Sequence, residues 1–138
     1  MKEEKTTLTI RLEVEVTNQD IDDIMACALE GGINYWADEA EVVGKYLGEY
    51  GSEQIARGGE LIIHLIEPIE EAGTMKYKLT KKKFMNGLRK YLNDPMKPYN
   101  IVEWDNKNYE YRLDTCQADA VVCDMIIQYA LFDEIVFA

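Results

Sequence analysis

Acid–base chemistry in this sequence would depend on His64, because it is the single histidine and histidine is the side chain whose charge changes near neutral pH. His64 lies in an apolar run between Ile63 and Leu65, and no serine, cysteine or acid stands beside it in a known catalytic pattern. A general base needs a positioned partner. We therefore interpret His64 as a strand residue on the less buried face and predict that the protein is not an enzyme.

Metal and phosphate sites are also not expected from the local patterns. Cys27, Cys116 and Cys123 lack the paired short spacing of zinc ligands, so we expect free, buried thiols. The glycine pairs at 31–32 and 58–59 follow predicted helices, where glycine ends a helix, whereas phosphate-binding loops precede helices. We predict no metal and no cofactor.

Hydrophobic periodicity predicts the elements that would position any site. Leu8–Val16 alternates strictly between apolar and polar residues, which is typical of a strand with one wet face. The predicted helices run from 18 to Gly31–Gly32, over 81–93, and for about 16 residues after a cap at 114–115, with one helical turn at 52–57. Further strands are predicted at 60–67, 75–79 and 109–113, and short strands and loops over 33–50. Residues 134–138 are either a terminal strand or a continuation of that helix. This order predicts a single α+β domain over residues 1–138, in which about three helices pack on one face of a mainly antiparallel sheet.

Charge is divided unevenly along the chain. The net charge is −11 overall, −12 over residues 1–71, +7 over 72–97 and −6 over 98–138. An acidic chain repels nucleic-acid phosphates, so we predict no direct DNA binding, and it attracts a basic partner over about a Debye length. The predicted acidic partner-binding residues are Glu13, Glu15, Asp20, Asp22, Asp23, Asp38, Glu39 and Glu41. The single basic patch is predicted on one helix face and consists of Lys81, Lys82, Lys83, Arg89 and Lys90.

Aromatic residues occur in the segments with least regular periodicity. Tyr35 and Trp36 lie in one such segment, and residues 99–104 form another. Aromatic side chains on loops are frequent anchors of protein interfaces. We predict that Tyr35 and Trp36 supply the apolar anchor of the acidic surface, although such residues also form the rim of a core.

Two stretches resemble a family of short, acidic, uncharacterised proteins from phages, prophages and mobile elements of Gram-positive bacteria. They are Val16-Thr-Asn-Gln-Asp-Ile-Asp-Asp-Ile-Met25 with Ala28-Leu-Glu-Gly-Gly-Ile-Asn-Tyr-Trp36, and Gln128-Tyr-Ala-Leu-Phe132 with Glu134-Ile-Val-Phe137. The resemblance implies an accessory protein that acts on the host and brings no catalytic residues. It implies an inhibitor of a defence system, such as an anti-CRISPR protein that occludes a basic nucleic-acid channel.

The expected function is therefore binding without chemistry, in the cytoplasm of a host cell, with a basic host protein as partner and no role at a membrane. One alternative is an oligomer that sequesters a nucleotide signal, with basic side chains for phosphates and tyrosines for base stacking. Another is a phage structural or assembly factor. Self-association through the acidic and basic segments is a further possibility that the charge pattern leaves open.

Overall fold

Three helices and six strands make up the described chain in an α+β arrangement. The computed structural model describes residues 2–71 and 73–138, and the predicted α+β fold class is confirmed. The helices are α1 (Asn18–Cys27), α2 (Lys81–Asn93) and α3 (Ala120–Phe132). The strands are β1 (Val14–Glu15), β2 (Ala37–Val42), β3 (Leu61–Leu65), β4 (Lys76–Leu79), β5 (Val102–Asp105) and β6 (Glu110–Leu113).

The strands form two three-stranded sheets rather than one. One sheet has the order β1-β6-β5, with β1 parallel to β6 and β5 antiparallel to it. The other has the order β2-β3-β4 and is antiparallel throughout. The strands predicted at 60–67 and 75–79 are confirmed as β3 and β4, which pair as an antiparallel hairpin.

Threonine side chains cap the first turns of α1 and α2. Thr17 and Asp20 form a capping box at the start of α1, and Thr80 accepts a hydrogen bond from the Lys83 amide at the start of α2. Each cap satisfies a backbone amide that has no partner in the first turn of a helix. A π-helical turn over Ala28–Gly32 continues α1 to the predicted glycine pair.

The predicted strand over Leu8–Val16 is wrong for most of its length. Only Val14 and Glu15 are paired, with Tyr111 and Arg112 of β6. In this parallel register Leu12 would lie opposite Tyr109, where β6 has not yet begun and the backbone turns with φ of 54°. Residues 2–13 therefore extend beyond their neighbouring strand and are exposed.

The C-terminal third also differs from prediction. Residues 102–105, predicted to be irregular, form β5. Helix α3 starts later than predicted, because Asp119 caps it and Thr115–Gln117 forms a separate 3-10 turn in which Cys116 is exposed rather than buried. Residues 134–138 are neither strand nor helix.

Helix α3 is central to the core, as its apolar surface on several sides predicts. It packs most closely on α2 at Gly87, where a Cβ atom would lie 2.6 Å from both the Ala130 amide nitrogen and the Ile126 carbonyl oxygen. Glycine is required there because the two helix backbones leave no room for a side chain. The β2–β3–β4 sheet adds Leu61, Ile63, Leu65 and Leu79 to the same core, which leaves its other face polar.

Candidate functional site: the polar face of the β2–β3–β4 sheet

Strand alternation separates the two faces of this sheet. In β3, Leu61, Ile63 and Leu65 are buried while Ile62 and His64 are half-buried on the opposite face. Successive side chains of a strand point to opposite faces. The polar face therefore carries Ile62 and His64 from β3 together with the residues that pair with them.

Two cross-strand rows define the charge of this face. One row runs from Glu39 on β2 through His64 to Lys76 on β4. The next runs from Glu41 through Ile62 to Lys78 in the same order. The polar face therefore changes from acidic at its β2 edge to basic at its β4 edge.

The structure brings His64 together with two of the predicted partner-binding acids. The His64 Nε2 atom lies 2.8 Å from Glu41 Oε1 and 4.0 Å from Glu39 Oε1. Sequence reasoning found no partner for His64 because these contacts depend on strand register. The available signal was the Glu-x-Glu spacing of β2, which places both carboxylates on one face.

This cluster contains ligand types that divalent transition metals use, since histidine nitrogen and carboxylate oxygen both bind zinc. The three potential ligand atoms lie within 4.8 Å of one another. However, both glutamates are exposed, and no hydrogen bond orients the second ring nitrogen of His64 among the described contacts, a partner that metal-bound histidines generally have. The arrangement forms a histidine–carboxylate hydrogen bond, and no serine or cysteine among the described residues hydrogen-bonds to His64 as a nucleophile.

The β2 edge carries negative charge that basic side chains do not offset. Asp38 lies in a bulge of β2, and Asp38, Glu39 and Glu41 are all exposed. Among the residues that the structure describes, their ion-pair contacts are limited to His64. The carboxylate oxygens of Glu39 and Glu41 lie within 4.8 Å of each other, so the two charges repel by at least about 0.9 kcal/mol in water, and a cation placed here is favoured.

Asp22 does not belong to the exposed acidic surface that the sequence predicts. Its side chain is buried and lies 3.0 Å from Arg57 Nη1. The hydrogen bond from Arg57 to Asp22 raises the pKa of that arginine above its ordinary value. The helical stripe of α1 places Asp22 beside the turn that carries Arg57, so this acid stabilises the fold instead of facing a partner.

The remaining predicted acids lie in α1, in β1 and immediately before β1. Glu13 and Glu15 are exposed, and neither takes part in an ion pair within the described ranges. Asp20 closes the α1 capping box, and Asp23 accepts hydrogen bonds from Gln19 and Thr115. These two aspartates thus hydrogen-bond within the fold, whereas Glu13 and Glu15 face solvent.

Trp36 is not an interface anchor, which corrects the prediction. Its side chain is 2% exposed, its ring stacks on Phe137 at 5.2 Å, and its indole N–H donates to Asp124 Oδ1 at 2.7 Å. A buried tryptophan usually finds a partner for this N–H group. The acid that provides it comes from α3, far away in the sequence.

Tyr35 is 51% exposed but is held by the same carboxylate. Its hydroxyl donates to Asp124 Oδ2 at 2.5 Å, and partial burial together with Asp124 raises the pKa of Tyr35 to about 12. Gln128 completes the cluster by donating to Asp124 and accepting from the Val136 and Phe137 amides. Tyr35 is therefore half exposed while its hydroxyl is held by hydrogen bonds.

The predicted basic patch is more restricted than the helix pattern suggests. Lys81, Lys82 and Lys83 are exposed at the start of α2, but Lys90 pairs with Asp133 at 3.0 Å and Arg89 hydrogen-bonds to Asn86. The structure adds Lys76 and Lys78 of β4, both exposed. Exposed lysines are therefore concentrated at the β4–α2 corner, where Lys81 and Lys83 donate to backbone carbonyls.

One cleft lies away from both charged edges. It has a volume of about 390 Å³ and is lined by Tyr77, Phe132 and Leu131 with two acids, Glu70 and Glu134. Tyr77 points to the opposite face of β4 from Lys76 and Lys78. A phosphate-bearing ligand in this cleft would therefore face carboxylates and not lysines.

Comparisons with known proteins leave the family open. No family model, no curated protein and no solved structure matches this chain. None of the helices in the described ranges combines the length and apolar character needed to cross a membrane.

Proposed function

We propose that this protein binds without catalysis and docks its β2 edge on a basic surface of a host protein. In the phage context that the sequence resemblance implies, the target is a nucleic-acid-binding defence effector, and binding blocks its nucleic-acid channel in the manner of an anti-CRISPR protein. The observation that carries this proposal is the exposed, unneutralised charge of Asp38, Glu39 and Glu41.

The physical reason is electrostatic complementarity. Channels that hold nucleic-acid backbones are positively charged, and opposite potentials accelerate association and fix its orientation. Three carboxylates on a rigid edge strand present acceptor oxygens at strand spacing. Exposed Tyr35 adds an aromatic contact, while the buried Trp36 does not.

The test is inhibition of DNA cleavage by a guide-loaded CRISPR effector, measured together with direct binding at several salt concentrations. The variant is Asp38→Asn, Glu39→Gln and Glu41→Gln combined. Its matched control, Glu67→Gln, Glu70→Gln and Glu71→Gln, removes the same charge from exposed acids elsewhere. We expect the β2 variant to lose inhibition and most of the salt dependence of binding, whereas the control retains both.

An equal effect of both triple variants would show that only net charge matters and would overturn the role of β2. Unchanged inhibition by the β2 variant would overturn it as well. Absence of inhibition by the unmodified protein across several effector types would remove the anti-CRISPR part of the proposal.

The lysine-rich β4–α2 corner favours a second function, the sequestration of a nucleotide signal. Five lysines lie between residues 76 and 83, and the single ion pair in this group among the described residues joins Lys78 to Glu60 at 3.6 Å. Clustered cations attract phosphate groups. A thermal-shift screen against linear and cyclic nucleotides tests this function, and the variant Lys76→Gln with Lys82→Gln should abolish any shift. A flat response to every nucleotide would eliminate this candidate.

A further inference from the structure

Residues 6–13, which we name the arm, expose an apolar stripe that the fold does not cover. Leu8, Ile10 and Leu12 are 83%, 70% and 48% exposed. The next two residues of the same alternation, Val14 and Val16, are partly buried against the core. Exposure thus falls steadily toward the sheet, and the arm continues the apolar face of β1 into solvent.

Within the described ranges, β6 does not extend alongside the arm. Strand β6 begins at Glu110, so in its register with β1 no residue of β6 lies opposite Leu12. The four-residue strands β5 and β6 are too short to extend alongside the arm. No side-chain hydrogen bond or ion pair holds residues 2–12 to the other described residues.

The other side of β1 is an open sheet edge. Strand β1 is outermost in the order β1-β6-β5, so its second row of backbone groups has no strand beside it within the described ranges. Open edges with alternating apolar residues pair readily with further strands unless charge, proline or a bulge prevents it. The arm contains no proline, and its two charges, Arg11 and Glu13, are of opposite sign.

We propose that two copies of this chain pair through this edge, with residues 8–16 of each running antiparallel to residues 16–8 of the other. The two β1-β6-β5 sheets then become one sheet of six strands. This inference rests on the arm and β1 alone and does not depend on the proposed function.

Charge complementarity selects the register. Apolar residues face apolar residues only in registers that keep the two-residue period aligned. A register centred on Arg11 would place this arginine opposite its own copy, which is unfavourable. A register centred on Leu12 instead places Arg11 opposite Glu13 twice.

The Leu12-centred register also places every apolar residue of the segment opposite another apolar residue. Leu12 faces its own copy, Ile10 faces Val14, and Leu8 faces Val16. The exposed side chains of one arm are thereby added beside the partly buried valines of the other copy. The pairing extends the existing core face.

The first experiment measures the molar mass of the full chain as a function of concentration by sedimentation and light scattering. We expect a concentration-dependent dimer of twice 15.9 kDa. Ile10→Asp should yield a monomer with an unchanged circular dichroism spectrum, because Ile10 is exposed. The control Met96→Asp, at a site 84% exposed away from the arm, should remain dimeric. A monomeric unmodified protein, or a dimer that tolerates Ile10→Asp, would overturn the proposal.

Charge exchange tests the register. Arg11→Glu and Glu13→Arg should each weaken the dimer about tenfold, because each variant places like charges opposite each other at two positions. The double variant should restore the unmodified affinity. Failure of this restoration would refute the Leu12-centred register.

Crosslinking tests the two-fold position independently. In a Cys116→Ser background, which removes the exposed native thiol, Leu12→Cys should oxidise to a covalent dimer because it faces its own copy. Leu8→Cys should not, since the two copies of residue 8 lie about 27 Å apart in this register. The reverse result would overturn the register.

Discussion

Removal of the Asp124 carboxylate should destabilise the fold by about 3 kcal/mol, because this buried acid accepts three hydrogen bonds. Asp124→Ala leaves the Trp36 indole N–H without its partner in a dry site, which costs about 2 kcal/mol. Gln128 retains Phe137 O at 3.1 Å, and water can reach the half-exposed Tyr35. These two groups therefore add about 1 kcal/mol together.

Asp124→Asn should cost only about 1 kcal/mol. The amide oxygen can still accept from Trp36 and Gln128, and the amide nitrogen can donate to the Tyr35 hydroxyl. What is lost is the extra strength of hydrogen bonds to a charged acceptor. Tyr35→Phe, which removes one donor and leaves the carboxylate in place, serves as the mild control.

The assay is urea unfolding followed by tryptophan fluorescence and circular dichroism. At a typical slope of about 1.5 kcal/mol/M, the alanine variant should lower the midpoint by about 2 M and the asparagine variant by less than half of that. If Asp124→Ala shifts the midpoint no more than Asp124→Asn does, the indole N–H does not depend on this acid and the reasoning is wrong.

Three further outcomes follow from other contacts. Gly87→Ala should lower the free energy of unfolding by about 2 kcal/mol, because overpacking against the α3 backbone outweighs the helix propensity of alanine. The control Gly31→Ala, at a position with open space around it, should be neutral or stabilising. Thermal melts of both variants measure the difference. The hydrogen bond from Tyr129 to Asp94 raises the pKa of Tyr129 from 10.0 to about 12. The stability that this hydrogen bond contributes is fully present below pH 10 and is lost as the pH rises through about 12. Tyr129→Phe should therefore reduce the fall in the urea midpoint over that pH range. Asp22→Asn should lower the melting temperature yet leave the salt dependence of partner binding unchanged, since this acid is buried.

Elements with clear local signals could be predicted from sequence. Helix α2 follows from Thr80 as a cap and from the apolar stripe that ends before Pro95, and the β3–β4 hairpin follows from two branched or alternating runs. Their signals lie within a few residues of the element itself. Local chemistry is therefore sufficient for elements of this kind.

The failures share a different cause, which is dependence on a distant partner. Leu8–Val16 has the pattern of a long strand, but the length of the paired strand is set by where β6 begins at Glu110. Conversely, β5 lacks a strong pattern of its own and is stabilised by its pairing with β6. A strand forms only where a second strand pairs with it, and the sequence pattern of a segment does not show where that second strand begins or ends.

The candidate site shows the same limit. The acids at 39 and 41 and their common face were predictable from spacing, but their contact with His64 depends on pairing between β2 and β3. Trp36 was assigned to a surface because it lies in a segment without regular periodicity, and Asp22 because it belongs to the acidic part of the chain. Their partners, Asp124 and Arg57, lie 88 and 35 residues away, beyond the range of any local motif.

The antiparallel order β2-β3-β4 converts the charge division of the chain into a charge gradient across one sheet face. Acidic residues before position 71 supply β2, and the basic segment after it supplies β4, two strand spacings or about 10 Å away. That separation is close to the Debye length of about 8 Å at physiological ionic strength. At low salt a basic partner is therefore attracted by the net charge of −11 of the whole chain. At physiological salt its interaction is dominated by the charges of whichever sheet edge, β2 or β4, lies closer to it. In the proposed complex, binding that persists at physiological salt would engage β2 with the β4–α2 corner turned away from the partner, so the gradient predicts the orientation of that complex.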